Sequence, residues 1–332
     1  MTSHSRTTMT SATPWEEIDV PSYDYNVRAV RDAGPSPVYW GRNIHGQYLL
    51  LVDLDGDYTD TFHRENVAVR GLKIDLRSSE IVGHQRLVLT LESKSNVDLF
   101  SAFCDSLVSA LRSATDSTST MQLTLGTLRR WRAFLASGRP DVLSSSEVRG
   151  LVCELEVLQQ ILSRHNERYA VESWVGPFGS PQDFVLSNTA IEVKAVTPRD
   201  GNAVRISSED QLESECAKLL IAVIRLDEGT LDEGAASLNE LVSSLSSAIS
   251  EPLVQELFLD RLMKCGYLPL AEYNTPRYVV KRREQYLVGD TFPKLVRSGL
   301  PSAIREVSYS IQIESIRSHL VAGPFLGAND GD

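Results

Sequence analysis

The chain has 332 residues, of which 42% are hydrophobic and 23% charged, and its formal net charge at pH 7 is −11. That length admits two domains or one large one, and the composition excludes a fibre or a wholly disordered chain. The acidic balance argues against a protein that coats nucleic acid without specificity, but it leaves room for a local basic groove.

Residues 1–14 are rich in Ser and Thr, contain no apolar h-region, and are expected to be disordered. No run of eighteen apolar residues occurs, so the expectation is a cytoplasmic protein with no membrane partner. Residues 15–112 read as a β-rich module. VYWGRNIHGQYLLLVDLDG predicts two strands around a turn at Asn43 to Gly46, and LKIDL and RLVLTLE alternate as two more. Leu99, Phe100, Phe103, Leu107 and Leu111 then recur at helical spacing and predict a helix over 96–111. The Ser/Thr-rich stretch 113–120 is the clearest break, so 113–143 is expected to be a linker with a bridging helix over 125–135.

A second module is expected over 144–320. Ser144 and Glu147 fit a capping box, and Val148, Leu151, Leu155, Leu158 and Leu162 form one apolar stripe, predicting a helix from 145 to about 165. Glu154 sits inside that stripe. It is either a carboxylate at the stripe's edge, reaching solvent or a basic side chain, or a metal ligand or its support. Two short apolar runs around Ser187-Asn188 then predict a β-hairpin, followed by a strand over 203–206. Ser207 or Ser208 should cap a helix whose first turn holds Glu209, Asp210 and Gln211. A central strand over 218–226, helices over 236–249 and 252–264, and strands over 278–288 and 307–313 complete a mixed α/β (α+β) core. Residues 321–332 read as a flexible tail.

The hairpin carries the chemistry. If its turn is centred between Ser187 and Asn188, Asp183 lies directly opposite Glu192, with Cα atoms about 4.5 to 5.5 Å apart. Lys194 leaves the strand on the same side as Glu192, while Ile191 and Val193 point into the core. Opposed like charges destabilise a sheet, and a divalent cation between them would reverse the sign of that cost. Two carboxylates leave most of an octahedral Mg²⁺ shell to water and to phosphate oxygen, and a neighbouring ammonium can orient water and stabilise developing charge.

Competing signatures are absent. Cys104, Cys153, Cys216 and Cys265 lie far apart and read as buried free thiols, and the six histidines form no close ligand pair. There is no GxxxxGK[ST], GxSxG or GxGxxG. Basic runs at Arg129-Arg130-Trp131-Arg132, at Lys281-Arg282-Arg283 and at Lys294 with Arg297 are either solvated faces or phosphate contacts.

An acid on a helix, then Asp, then Glu-x-Lys on the paired strand resembles the PD-(D/E)XK nuclease superfamily. More narrowly, GLVCELEVL, WVGP, the hairpin, ISSEDQL, DTFPKL and REVSYSI resemble bacterial PD-(D/E)XK motif proteins encoded among restriction and phage-defence genes. The resemblance implies a restriction-endonuclease-like core and a Mg²⁺-dependent endonuclease acting on DNA, with Mn²⁺ as a substitute. Asp183 and Glu192, with Glu154, would be metal ligands, Lys194 the water-orienting cation and Gln211 an additional active-site contact. The proline before the acid is displaced, giving Pro181-Gln182-Asp183. Other proteins of a defence system are implied partners, and double-strand cutting would call for a homodimer. Two rival readings stand beside it: a catalytically silent nuclease-fold subunit that binds DNA or partner proteins, and an ordinary edge hairpin with a surface Glu-Lys pair.

Overall fold

The computed structural model describes residues 13–65, 67–93, 97–136, 143–229, 234–323 and 325–326. Most of the expected disordered start and flexible end lies outside the described residues. The chain divides into two compact units, Met1–Pro140 and Asp141–Asp332.

The first unit holds an antiparallel sheet in the order β1-β2-β3-β5-β4. Its strands are β1 (Tyr25–Ala29), β2 (Val38–Asn43), β3 (Tyr48–Asp55), β4 (Leu72–Ser78) and β5 (His84–Leu91), with a short helix α1 (Thr59–Glu65) between β3 and β4. The β2–β3 turn falls at Asn43 to Gly46, where the Asn43 Oδ1 accepts from the backbone N–H of His45 and Gln47. Helices α2 (Val97–Leu111) and α3 (Ser117–Ala136) follow. α3 begins inside the Ser/Thr-rich stretch, well before residue 125. The reason is capping: Asp116 Oδ1 accepts from the Ser119 N–H at 2.7 Å, so the small polar residues start a helix. Thr120, Thr124 and Thr127 are then buried within it.

In the second unit the Ser144–Glu147 capping box forms as expected and opens α4 (Ser145–Leu162). The sequence reading did not anticipate α5 (Glu167–Ser173), which is capped by the Asn166 side chain. The hairpin is β6 (Phe184–Leu186) and β7 (Thr189–Val196), followed by β8 (Ala203–Ile206) and β9 (Lys218–Glu228). Next come β10 (Ala236–Ser237), α6 (Leu238–Ala248), α7 (Pro252–Lys264), β11 (Arg277–Leu287) and β12 (Tyr309–Gln312).

The main sheet has the order β10-β11-β9-β7-β6. It is mixed, because β7 and β9 run parallel while the other neighbours are antiparallel. β9 lies at its centre, and its near-continuous apolar sequence reflects burial on both faces. Ala222, Ile224 and Leu226 pack with α4, α5, α6 and α7. Leu219, Ile221 and Val223 pack instead with β8, β12 and the turn at Ile313 and Ile316. A small mixed sheet flanked by helices is therefore the observed core.

The helix expected after Ser207 does not form; residues 207–217 are irregular, with a turn at 209–212 and a bend at 215–217. Its carbonyls and side chains have partners elsewhere. The Gln182 amide donates to the carbonyls of Asp210, Gln211 and Glu213, and the Glu209 carboxylate accepts from the Val307 N–H at 2.8 Å. A helix would have needed those carbonyls for its own ladder. Cys216 and Cys265 are half-buried and only Cys104 and Cys153 fully buried, none of the four in a disulfide, which corrects the burial expected for Cys216 and Cys265. No described helix is long and apolar enough to cross a membrane.

Leu158 is fully buried among the α4 contacts, whereas Leu162 on the same stripe is half-buried. Leu158→Ala is expected to lower unfolding free energy by about 2–5 kcal/mol, and Leu162→Ala by clearly less, measured by urea denaturation.

Candidate active site

The β6–β7 register sets the site. Phe184 pairs with Ile191, Val185 with Ala190 and Leu186 with Thr189, the register expected from the sequence. Ser187 makes the turn with a left-handed backbone, φ 48°. The regular ladder ends one pair before Asp183 and Glu192. There the Asp183 N–H donates to the Ile191 carbonyl, and the Asp183 carboxylate accepts from the Val193 N–H at 2.7 Å. A side-chain oxygen thus stands where a strand carbonyl would have continued the ladder. The expected backbone pair is replaced by a carboxylate–amide bond.

The Asp183 backbone is also held from the other side. Its carbonyl accepts from the N–H groups of both Val175 and Gly176 at 2.8 and 2.9 Å. A Cβ on Gly176 would stand 3.0 Å from Asp183 Oδ1 and 3.2 Å from its Cα. Glycine at 176 therefore leaves the room that the acid occupies.

Glu192 and Lys194 alternate with Ile191 and Val193, which face the helices. The other face is covered too, by β8, β12 and the loop bearing Leu212. Glu192 is consequently buried, with its side chain 2% exposed. Its Oε1 is 2.7 Å from Lys194 Nζ, while its Oε2 is buried without a hydrogen-bond partner. Lys194 Nζ also donates to Gln211 Oε1 at 3.0 Å, and that same oxygen accepts from the Ser207 N–H at 2.8 Å.

Glu154 comes from α4. Its Oε2 accepts from the Trp174 indole N–H at 2.7 Å. Burial, then the charge of Asp183, and more weakly that of Glu192, push its carboxyl well above the usual range, against the opposing pull of Trp174 and Lys194. Glu192 is pushed up to about 8 by burial and by Asp183, with Lys194 opposing. Asp183 is raised to about 6 by burial, against the Val193 N–H and Lys194. The structure thus brings Glu154, Asp183, Glu192 and Lys194 within electrostatic reach, and it reaches Gln211 through Lys194.

Two further residues belong to the arrangement and were not assigned roles from the sequence. Trp174 is fully buried and orients Glu154; the only available signal was that a buried indole N–H needs an acceptor. Gln182 is 5% exposed and holds the loop that carries Gln211. The basic runs are drawn into ion pairs: Arg129 with Glu65, Arg283 with Glu156 and Arg297 with Glu209. Trp131 is buried.

A divalent cation fits the donor chemistry of Asp183 and Glu192. Two desolvated carboxylates repel each other, and the partnerless Glu192 Oε2 offers a lone pair that the protein does not use. Among the described residues, no group of three or more His, Cys, Asp or Glu is arranged to hold a metal ion. Protein ligation would thus rest on these two acids, with the other positions left to substrate, water or backbone oxygen.

Comparison with known proteins gives one family. The model of a family described as "Putative PD-(D/E)XK family member, (DUF4420)" matches residues 11–314. No curated protein and no solved structure matches the chain.

The raised carboxyls fix how stability depends on pH. Asp183 moves from 3.8 to about 6 and Glu192 from 4.5 to about 8, so the folded protein holds protons that the unfolded chain has released. Their favourable contribution is complete below about pH 4 and is lost as pH rises through 6 and 8. In chelator, the melting temperature of Glu192→Gln relative to wild type should therefore rise between pH 5 and 9. Added Mg²⁺ or Mn²⁺ should raise the wild-type melting temperature more at pH 8.5 than at pH 5, since binding needs ionised carboxylates. Scanning calorimetry across that range checks both.

Proposed function

The chain belongs to this PD-(D/E)XK family, and on that premise we propose that it is a Mg²⁺-dependent endonuclease that hydrolyses DNA phosphodiester bonds. The observation that carries the proposal is the juxtaposition of Asp183, Glu192 and Lys194, with one Glu192 oxygen on the ammonium and the other buried without a partner. A fold with no chemical task gains nothing from desolvating two neighbouring carboxylates. Restriction or anti-phage defence in the cytoplasm is the setting we favour, from the likeness of the motifs to defence-associated proteins.

Asp183 and Glu192 would hold the cation, which when bound would neutralise phosphate charge and acidify water. The chain's own residues supply position and charge. Asp183 is fixed by the Val193 N–H and by the close approach of Gly176. Lys194, oriented by Glu192 and Gln211, keeps a third N–H to aim a water in line with the scissile bond and to stabilise charge building on the phosphate. Water oxygen bonds to phosphorus as the ester oxygen leaves, taking a proton. Glu154, held by Trp174, braces the acidic cluster from the helix side.

A second reading, a silent nuclease-fold subunit that binds DNA or partner proteins, is favoured by one observation. No three-acid metal group is found among the described residues. One experiment separates the two: methylated and unmethylated supercoiled plasmid incubated with Mg²⁺, Mn²⁺ or EDTA. Metal-dependent nicking or linearisation is expected, with Asp183→Asn, Glu192→Gln and Lys194→Ala each slower by about 100-fold or more. Wild-type cleavage by a folded Lys194→Ala protein rejects the assignment of Lys194. Inactivity of wild type on every substrate favours the subunit reading.

A further inference from the structure

Gln182 immediately precedes Asp183, yet its side chain serves a different part of the chain. Its Nε2 lies 3.1, 3.3 and 2.9 Å from the carbonyl oxygens of Asp210, Gln211 and Glu213. Three carbonyls around one atom fix the amide with its nitrogen inward, since only the NH₂ group can donate. A side chain that is 5% exposed is thus committed to a single loop.

That loop reaches the cluster of charges through Gln211. Gln211 Oε1 accepts from Lys194 Nζ at 3.0 Å and from the Ser207 N–H at 2.8 Å, so the carboxamide bridges the ammonium and the loop's own backbone. Lys194 Nζ otherwise bonds Glu192 Oε1 at 2.7 Å. An ammonium has three N–H donors and turns freely about its last bond. With one hydrogen on Glu192 and one on Gln211, the direction of the third is set. Without Gln211, the ammonium can swing toward the partnerless Glu192 Oε2.

We infer that Gln182 is a positioning residue: by clamping the 210–213 loop it places Gln211, and through Gln211 it sets the direction of the Lys194 ammonium. For its effect on rate, the inference rests on the phosphodiesterase reading above. Its geometric content stands apart from it. A merely structural Gln182 would stabilise the loop and leave Lys194 unaffected.

The test uses the full chain labelled with ¹³C at lysine Cε, the Lys194 signal being assigned by its loss in Lys194→Arg. Gln182→Leu, of similar size but without donors, and Gln211→Leu are expected to move the Lys194 signal in the same direction. The double variant should move it no further than either alone. On plasmid at saturating Mg²⁺, each single variant should lower kcat about 10-fold or more while KM stays within about twofold. The double variant should be no slower than the slower single one. Gln182→Asn keeps the two donors on a shorter stem and secures the test if Gln182→Leu does not fold; its Lys194 signal should shift in the same direction as that of Gln211→Leu. A Lys194 signal unmoved in a folded Gln182 variant, or rate losses that multiply in the double variant, overturns the inference. Absence of cleavage by wild type fails the phosphodiesterase reading alone, because the lysine signal still decides the role of Gln182.

Discussion

A carboxylate with almost no exposed surface, one oxygen on an ammonium and the other on nothing, is the constraint around which the second unit is arranged. Removing Glu192 from water is costly, and a single ion pair does not fully offset that cost. The surroundings must therefore be rigid enough to enforce it. β9 supplies that rigidity, buried on both faces and parallel to β7, so that neither Glu192 nor Lys194 can turn outward without breaking the ladder. The end of β6 supplies the second acid, and the N–H of Val193, left without a strand partner, ties it down.

The edge of the sheet is where this tension is relieved. Asp183 sits where the regular hairpin stops, so its side chain can take a backbone role that no residue inside the ladder could take. The approach of Gly176 closes the other flank. Glu192 is enclosed on the interior strand β7. Asp183, half-buried beside the short edge strand β6, adds an accessible side to that desolvated neighbour. That combination makes the cluster chemically useful as well as strained, since perturbed carboxylates gather where chemistry is done.

Much of this was legible in the sequence, and the limits of that legibility are physical. The period-two pattern around Ser187 and Asn188 set the hairpin register, because a slip of one residue would have exchanged Ile191 and Val193 for Glu192 and Lys194 in the core. Helix α4 was legible from its capping box and stripe, and β9 from its unbroken apolar run. The loop at 207–217 was not. Ser208, Glu209 and Asp210 make a good local helix start, and only the long-range demands of Gln182, Val307 and Arg297 override that preference. The role of Trp174 was hidden for a similar reason, since nothing in the residues near 174 announces a partner twenty positions earlier. Even the site's register was legible only up to Phe184, because the last step is a side-chain bond that no strand pattern encodes.

The bonds on Glu209 have a consequence for the order in which the protein is made. Every acid and amine of the cluster lies between residues 154 and 211. The loop that presents Gln211 is nevertheless fastened in part by Arg297 and by the backbone of Val307, which lie 88 and 98 residues after Glu209. On the ribosome, the charged side chains therefore emerge well before these two fastenings do. The loop takes its final hold only after residue 307 has been made.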